Sequence, residues 1–131
     1  MAQLLKVLII EDSPSQAAAI SALVAEAGYY PSVCTQVTCS VAELLEEEQP
    51  HLVLLDLRLL DPDGNPVADG YQICREIKDS PTPPPVVIVT AEEDGDPSEW
   101  AILQGADAFV QKPFEAADLR FVMEQVLAAR E

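Results

Sequence analysis

Short apolar runs alternate with helix-spaced apolar patterns along the whole chain. Leu5 to Ile10 is apolar except at Lys6, as in a strand buried on both faces of a parallel sheet. Ser13-Pro14-Ser15-Gln16 then offers a capping box with Pro at the first helical position. Ile20, Leu23, Val24 and Ala27 recur at helical spacing until Gly28 stops the helix. Tyr30 to Thr35 reads as an edge strand, because Pro31 has no N–H for a second neighbour. A second capping box, Ser40-Val41-Ala42-Glu43, opens an acidic helix that ends near Gln49-Pro50. Leu52 to Leu55 is the next buried run, and it leads into Asp56.

From Leu57 to Asp69 no periodicity is visible, which predicts a loop of unusual length. A third helix starts at Asp69-Gly70 and carries Tyr71, Ile73, Cys74 and Ile77. Pro81, Pro83, Pro84 and Pro85 end it and force an extended approach to the strand Val86 to Val89. Asp96-Pro97 caps a fourth helix running to Gln104-Gly105. Ala108-Phe109-Val110 is a fifth strand, and Phe114 to about Ala129 is the closing helix.

Five strands and five helices in alternation predict an α/β fold, a parallel sheet with helices on both faces. At this size the commonest arrangement is a flavodoxin-like, doubly wound five-stranded parallel sheet of order 2-1-3-4-5. With no repeat and no linker, residues 1–131 are expected to form one domain, its core spanning about 4–129.

Composition narrows the function. The 131 residues are 49% hydrophobic and 23% charged, which is ordinary globular usage. Seven Lys and Arg against 23 Asp and Glu give a formal charge of −16, so direct nucleic-acid binding by this domain is not expected. No apolar run approaches a membrane span, and the N-terminus lacks the basic start of a signal peptide, so no membrane role is expected. Cys34, Cys39 and Cys74 are odd in number and without paired spacing, which fits three partly buried thiols in a reducing cytoplasm. With His51 as the one histidine, a zinc site lacks ligands.

In a sheet of this kind ligands bind beyond the carboxyl ends of the strands. Strand one ends in Glu11-Asp12, strand three in Asp56, strand four in Thr90-Ala91, and strand five in Gln111-Lys112-Pro113. The fold would gather three carboxylates, a hydroxyl and an ammonium at one rim. Clustered acids need a compensating cation, and oxygen ligands alone select a hard ion such as Mg²⁺. Mg²⁺ also accepts phosphate oxygens, with Lys112 and Thr90 placed to bind the others. An Asp in such a site is a nucleophile for phosphoryl transfer, through an acyl phosphate.

These residues resemble the receiver domain of two-component response regulators over nearly the whole chain. The matching segments are Val7-Leu8-Ile9-Ile10-Glu11-Asp12, Leu54-Leu55-Asp56, Asp69-Gly70-Tyr71, Ile88-Val89-Thr90-Ala91 and Gly105 to Phe114. Each alone is weak; five in order are specific. The resemblance implies that Asp56 is the phosphoacceptor and that Asp12 binds Mg²⁺ directly. Glu11 would act through a metal-bound water, and the backbone carbonyl of Arg58 would be a third protein ligand. Thr90 and Lys112 would be the switch hydroxyl and the phosphate-binding lysine, and Phe109 the aromatic that follows the switch. The implied partner is a sensor histidine kinase or histidine phosphotransfer protein. Self-association would use the fourth helix, fifth strand and fifth helix.

Two other readings compete. A pseudo-receiver would bind partners without phosphorylation, but such modules usually lack one of the acids or the lysine. A haloacid-dehalogenase-type phosphatase wants a second Asp two residues past the nucleophile, where this chain has Arg58. The segment after Asp56 departs from the receiver pattern. Leu59-Leu60 replaces the usual Met-Pro, and Asp61 to Ala68 lengthens the connection by about six residues. Asp61-Pro62-Asp63-Gly64 there fits a type I turn.

Overall fold

Alternate side chains of a strand point to opposite faces of a sheet. In the central strands of this protein both sets are apolar. The structure, a computed structural model, describes residues 4–35, 40–56, 58–60, 66–90, 105–111 and 114–129, with the backbone alone at 58–60, 66–72 and 90. Along the chain these form β1 (Lys6–Ile10), α1 (Pro14–Glu26), β2 (Tyr30–Cys34), α2 (Val41–Glu48), β3 (Leu52–Asp56), β4 (Arg58–Leu60) and β5 (Pro66–Asp69). They continue as α3 (Gly70–Lys78), β6 (Val86–Thr90), β7 (Ala108–Gln111) and α4 (Ala116–Ala128).

Five strands make one sheet of order β2-β1-β3-β6-β7, and every pairing in it is parallel. Counted within that sheet, this is the expected 2-1-3-4-5 order of the flavodoxin-like fold. Leu8, Ile10, Val53, Leu55, Val86 and Ile88 face one side and bury against Val41 and Leu44 of α2 and Ile73, Cys74 and Ile77 of α3. Val7, Ile9, Leu52, Leu54, Val87 and Val89 face the other and bury against Ile20 and Val24 of α1 and Leu119, Met123 and Val126 of α4. The even and odd positions of one strand thus feed two separate cores. A one-residue slip would still leave apolar side chains on both faces, so register rests on the helices and caps as well.

Both serine N-caps are where the sequence placed them, with the N-cap half of each expected capping box present. Ser13 Oγ accepts from Gln16 N–H at 3.4 Å, and Ser40 Oγ from Glu43 N–H at 3.1 Å. Gly28 ends α1 at φ +99°, a left-handed conformation that glycine adopts without a Cβ clash. Four helices lie among the described residues. The fourth predicted helix, over 96–104 and containing Trp100, lies outside them, as do Cys39 and the turn Asp61-Pro62-Asp63-Gly64.

The expectation of a loop throughout Leu57 to Asp69 is corrected at residues 58–60 and 66–69. β4 and β5 pair antiparallel, with Arg58 opposite Asp69, Leu59 opposite Ala68, and a register shift between Leu59 and Leu60. Strands of three and four residues are too short to show a period of two. Their signal was the placing of Leu59-Leu60 and Val67-Ala68 on either side of a Pro-, Gly- and Asn-containing stretch. Pro66 is the first residue of its strand, the position where a missing N–H does least harm. Among the described residues, no helix is long and apolar enough to cross a membrane.

Candidate functional site

Parallel strands deliver all their carboxyl ends to one rim of the sheet. Ile10 of β1 lies opposite Leu55 of β3, so the next residue of each strand, Glu11 and Asp56, fall side by side. β1 continues its pairing with β2 one step further, because Glu11 N–H donates to the Cys34 carbonyl at 3.1 Å. Glu11 is 2% exposed and Asp56 9%, and they are the two buried charged residues among those described. Asp12, half-buried, completes a group in which one carboxylate oxygen from each of the three residues lies within 4.8 Å of the others.

Such a group is electrostatically expensive. Two unit charges 4.8 Å apart repel by about 3 kcal/mol at an effective dielectric constant of about 20. Local structure offsets part of this. The Ser13 N–H donates to Glu11 Oε1 at 3.3 Å, at the start of α1, whose positive dipole end therefore faces the acids. A bound cation would offset more of it. Three carboxylates, with no thiolate or imidazole among them, suit a hard divalent ion, and the donor set fits Mg²⁺.

The remaining expected site residues are placed less completely. β6 runs beside β3 with Val89 opposite Asp56, so the backbone of Thr90 reaches the same rim one residue further along. Thr90 is paired in turn with Gln111 of β7. Lys112, the next residue in sequence, lies outside the described residues, as does the acidic run Glu92-Glu93-Asp94. Arg58 opens β4, two residues past Asp56. The structure therefore gathers Glu11, Asp12 and Asp56 by side chain and brings the Thr90 backbone to the same rim, while Arg58 is placed by backbone at the start of β4. Phe109 is half-buried and packs against the core on the α2 and α3 side.

One supporting residue had no assigned role in the sequence reading. The Asp107 carboxylate accepts from Val86 N–H at 2.8 Å and from Lys78 Nζ at 2.9 Å through the same oxygen, Oδ2. Asp107 N–H in turn donates to the Val86 carbonyl at 2.8 Å. This residue clips the start of β7 to the start of β6 and to the end of α3. Gly105, two residues earlier, sits at φ +87°, where an added Cβ would meet Lys78 Cγ at 3.3 Å. The available signal was the Gly-Ala-Asp spacing just ahead of a strand, which marks a turn with a side-chain acceptor.

Comparison with known proteins agrees with this geometry. Residues 7–124 match the family model of the response regulator receiver domain. The chain is 31% identical over 109 residues to the transcriptional regulatory protein YxdJ of Bacillus subtilis (strain 168), covering 83% of this chain and 44% of that protein. It is 33% identical over 127 residues to a Guillardia theta protein named "Probable transcriptional regulator ycf27", covering 93% and 45%. The chain thus spans less than half the length of these relatives. Among solved structures, the receiver domain of NtrX from Brucella abortus superposes with a TM-score of 0.79 at 26% identity, covering 93% of this chain and 98% of that one. The BeF3-activated receiver domain of RstA from Klebsiella pneumoniae shares the fold, with a TM-score of 0.78 at 24% identity over 93% and 97%. Sheet order, an acidic trio at the carboxyl rim and a family match over most of the sequence converge on one conclusion: this chain belongs to the response regulator receiver domain family of two-component signalling.

Proposed function

We propose that the chain acts as one receiver domain that takes a phosphoryl group onto Asp56 from a phosphohistidine. The donor is a sensor histidine kinase or a histidine phosphotransfer protein, the partners with which receiver domains generally act. The observation that carries this reading is the convergence of Glu11, Asp12 and Asp56 within 4.8 Å at the carboxyl rim of a receiver sheet.

An Asp56 carboxylate oxygen attacks the phosphorus in line with the P–N bond, which breaks as the imidazole leaves with its electron pair. Asp12, Asp56 and the Arg58 carbonyl would hold Mg²⁺ directly and Glu11 indirectly, and the ion would supply positive charge to the phosphoryl oxygens. The Thr90 hydroxyl and the Lys112 ammonium bind the other phosphoryl oxygens. Water later attacks the same phosphorus, releasing inorganic phosphate and restoring the carboxylate. The domain promotes both steps without being a dedicated enzyme.

Occupancy is then reported through the surface formed by the fourth predicted helix, β7 and the closing helix α4. Thr90 and Phe109 lie on adjacent strands that lead to it. Phe121 of α4, 63% exposed, gives that face an apolar anchor for a second copy or for an attached output domain. A cytoplasmic location is the one that suits a kinase partner of this kind. The pseudo-receiver reading is disfavoured because Glu11, Asp12, Asp56, Thr90 and Lys112 are all present.

The test is incorporation of acid-labile phosphate from acetyl phosphate with Mg²⁺. Wild type is expected to label and Asp56→Asn to stay unlabelled; equal labelling of the two would remove Asp56 from the role.

A further inference from the structure

The connection after Asp56 is longer than the receiver pattern, yet in space it is short. One residue separates Asp56, the end of β3, from Arg58, the start of β4. Arg58 pairs directly with Asp69, and the next residue, Gly70, begins α3. Opposed residues in an antiparallel ladder have Cα atoms about 4.5–5.5 Å apart. The β4–β5 ladder therefore closes the insertion on itself. It holds the start of α3 within one strand spacing of the backbone just past the acceptor, as a short turn would. An open connection of the same length would leave that backbone free to sample many positions, at the entropy cost of closing a longer loop.

We propose that the β4–β5 ladder is a positioning element of the divalent-cation site, fixing the backbone at Arg58 relative to Asp56. This rests on the reading of Asp12, Asp56 and the Arg58 carbonyl as the cation's ligands, with Glu11 holding it indirectly. Groups that orient metal ligands without touching the ion typically alter affinity by about 10–100-fold when removed. Breaking the pairing, not removing any ligand, should then weaken binding.

The experiment is calorimetric titration of the full chain with Mg²⁺ alone, comparing wild type with Leu59→Pro and with Ala68→Pro. These two residues face each other across the ladder, and proline at either removes an N–H and its conformational freedom. Asp63→Ala, in the segment joining the two strands, serves as the control. Circular dichroism and urea unfolding establish that each variant keeps the five-stranded sheet. The expected result is Mg²⁺ affinity lowered about tenfold or more in both proline variants and unchanged in Asp63→Ala. Folded proline variants that bind Mg²⁺ as wild type does would overturn the positioning role. Wild type that binds no Mg²⁺, or Asp56→Asn that binds it equally, would instead sink the cation-site reading, and this inference with it.

Discussion

Replacing Asp107 by Ala removes one oxygen that serves two donors, Val86 N–H and Lys78 Nζ. Val86 is buried and its bond to Asp107 part-buried, so its N–H loses its acceptor and keeps only the water that enters the space Asp107 vacates. An unsatisfied buried N–H costs about 1–3 kcal/mol. The Lys78–Asp107 ion pair, at 2.9 Å, is partly screened because its side chains are 20% and 30% exposed, and it adds about 0.5–1 kcal/mol. Asp107→Ala should therefore destabilise the fold by about 1.5–4 kcal/mol, or lower Tm by about 10 °C for a domain of this size. Asp107→Asn keeps an acceptor oxygen for Val86 and loses the charge, so its loss should be about 1 kcal/mol. Lys78→Met, which leaves the Val86 bond intact, should resemble Asp107→Asn. Urea unfolding followed by circular dichroism reads all three. If Asp107→Ala lies within about 0.5 kcal/mol of wild type, or if Asp107→Asn falls as far as Asp107→Ala, the assignment of the main effect to the Val86 N–H is wrong.

Further expectations follow from the acids and thiols. Asp12→Asn should raise Tm in metal-free buffer, by relieving repulsion among three carboxylates, and abolish the Tm increment that Mg²⁺ gives wild type; a lowered metal-free Tm would contradict the repulsion argument. The Glu48 carboxyl is held below its ordinary value of 4.5 first by the hydrogen bond from Ser32 Oγ and then by Lys6, whose Nζ lies at 3.3 Å. That stabilisation is present above pH 4.5 and is lost as pH falls through the lower native value, so Ser32→Ala should flatten the acid limb of a stability–pH profile. Burial pushes the Cys74 thiol from 9.0 up to about 11, so stability should decline between those two values as the unfolded thiol ionises first, and Cys74→Ala should lessen that decline. In native protein at pH 8, iodoacetamide should modify half-buried Cys34 well before Cys74, as peptide mass mapping would show.

The central sheet was legible because its strands are apolar at every position, from Val7 to Ile10, Leu52 to Leu55 and Val86 to Val89, and because serine caps and glycine stops separate them. The acids were legible for a related reason. A carboxylate directly after a fully apolar run has one place to go, the rim, where solvent or a cation can meet it. The β4–β5 hairpin escaped because its strands are short and its pairing depends on a contact eleven residues apart, Arg58 with Asp69, that no local period reports. Asp107 escaped for a different reason. Its carboxylate looks like any surface acid until the Val86 N–H, 21 residues away, is seen beneath it.

Acetyl phosphate and Mg²⁺ followed by borohydride give the sharpest reading of the phosphoryl site, because borohydride reduces an acyl phosphate to the alcohol. Peptide mass spectrometry should then find homoserine at position 56, dependent on Mg²⁺ and absent after EDTA. Homoserine at position 11 or 12 instead, or conversion at 56 that is indifferent to EDTA, would contradict a phosphoryl site built on Asp56 and a divalent cation.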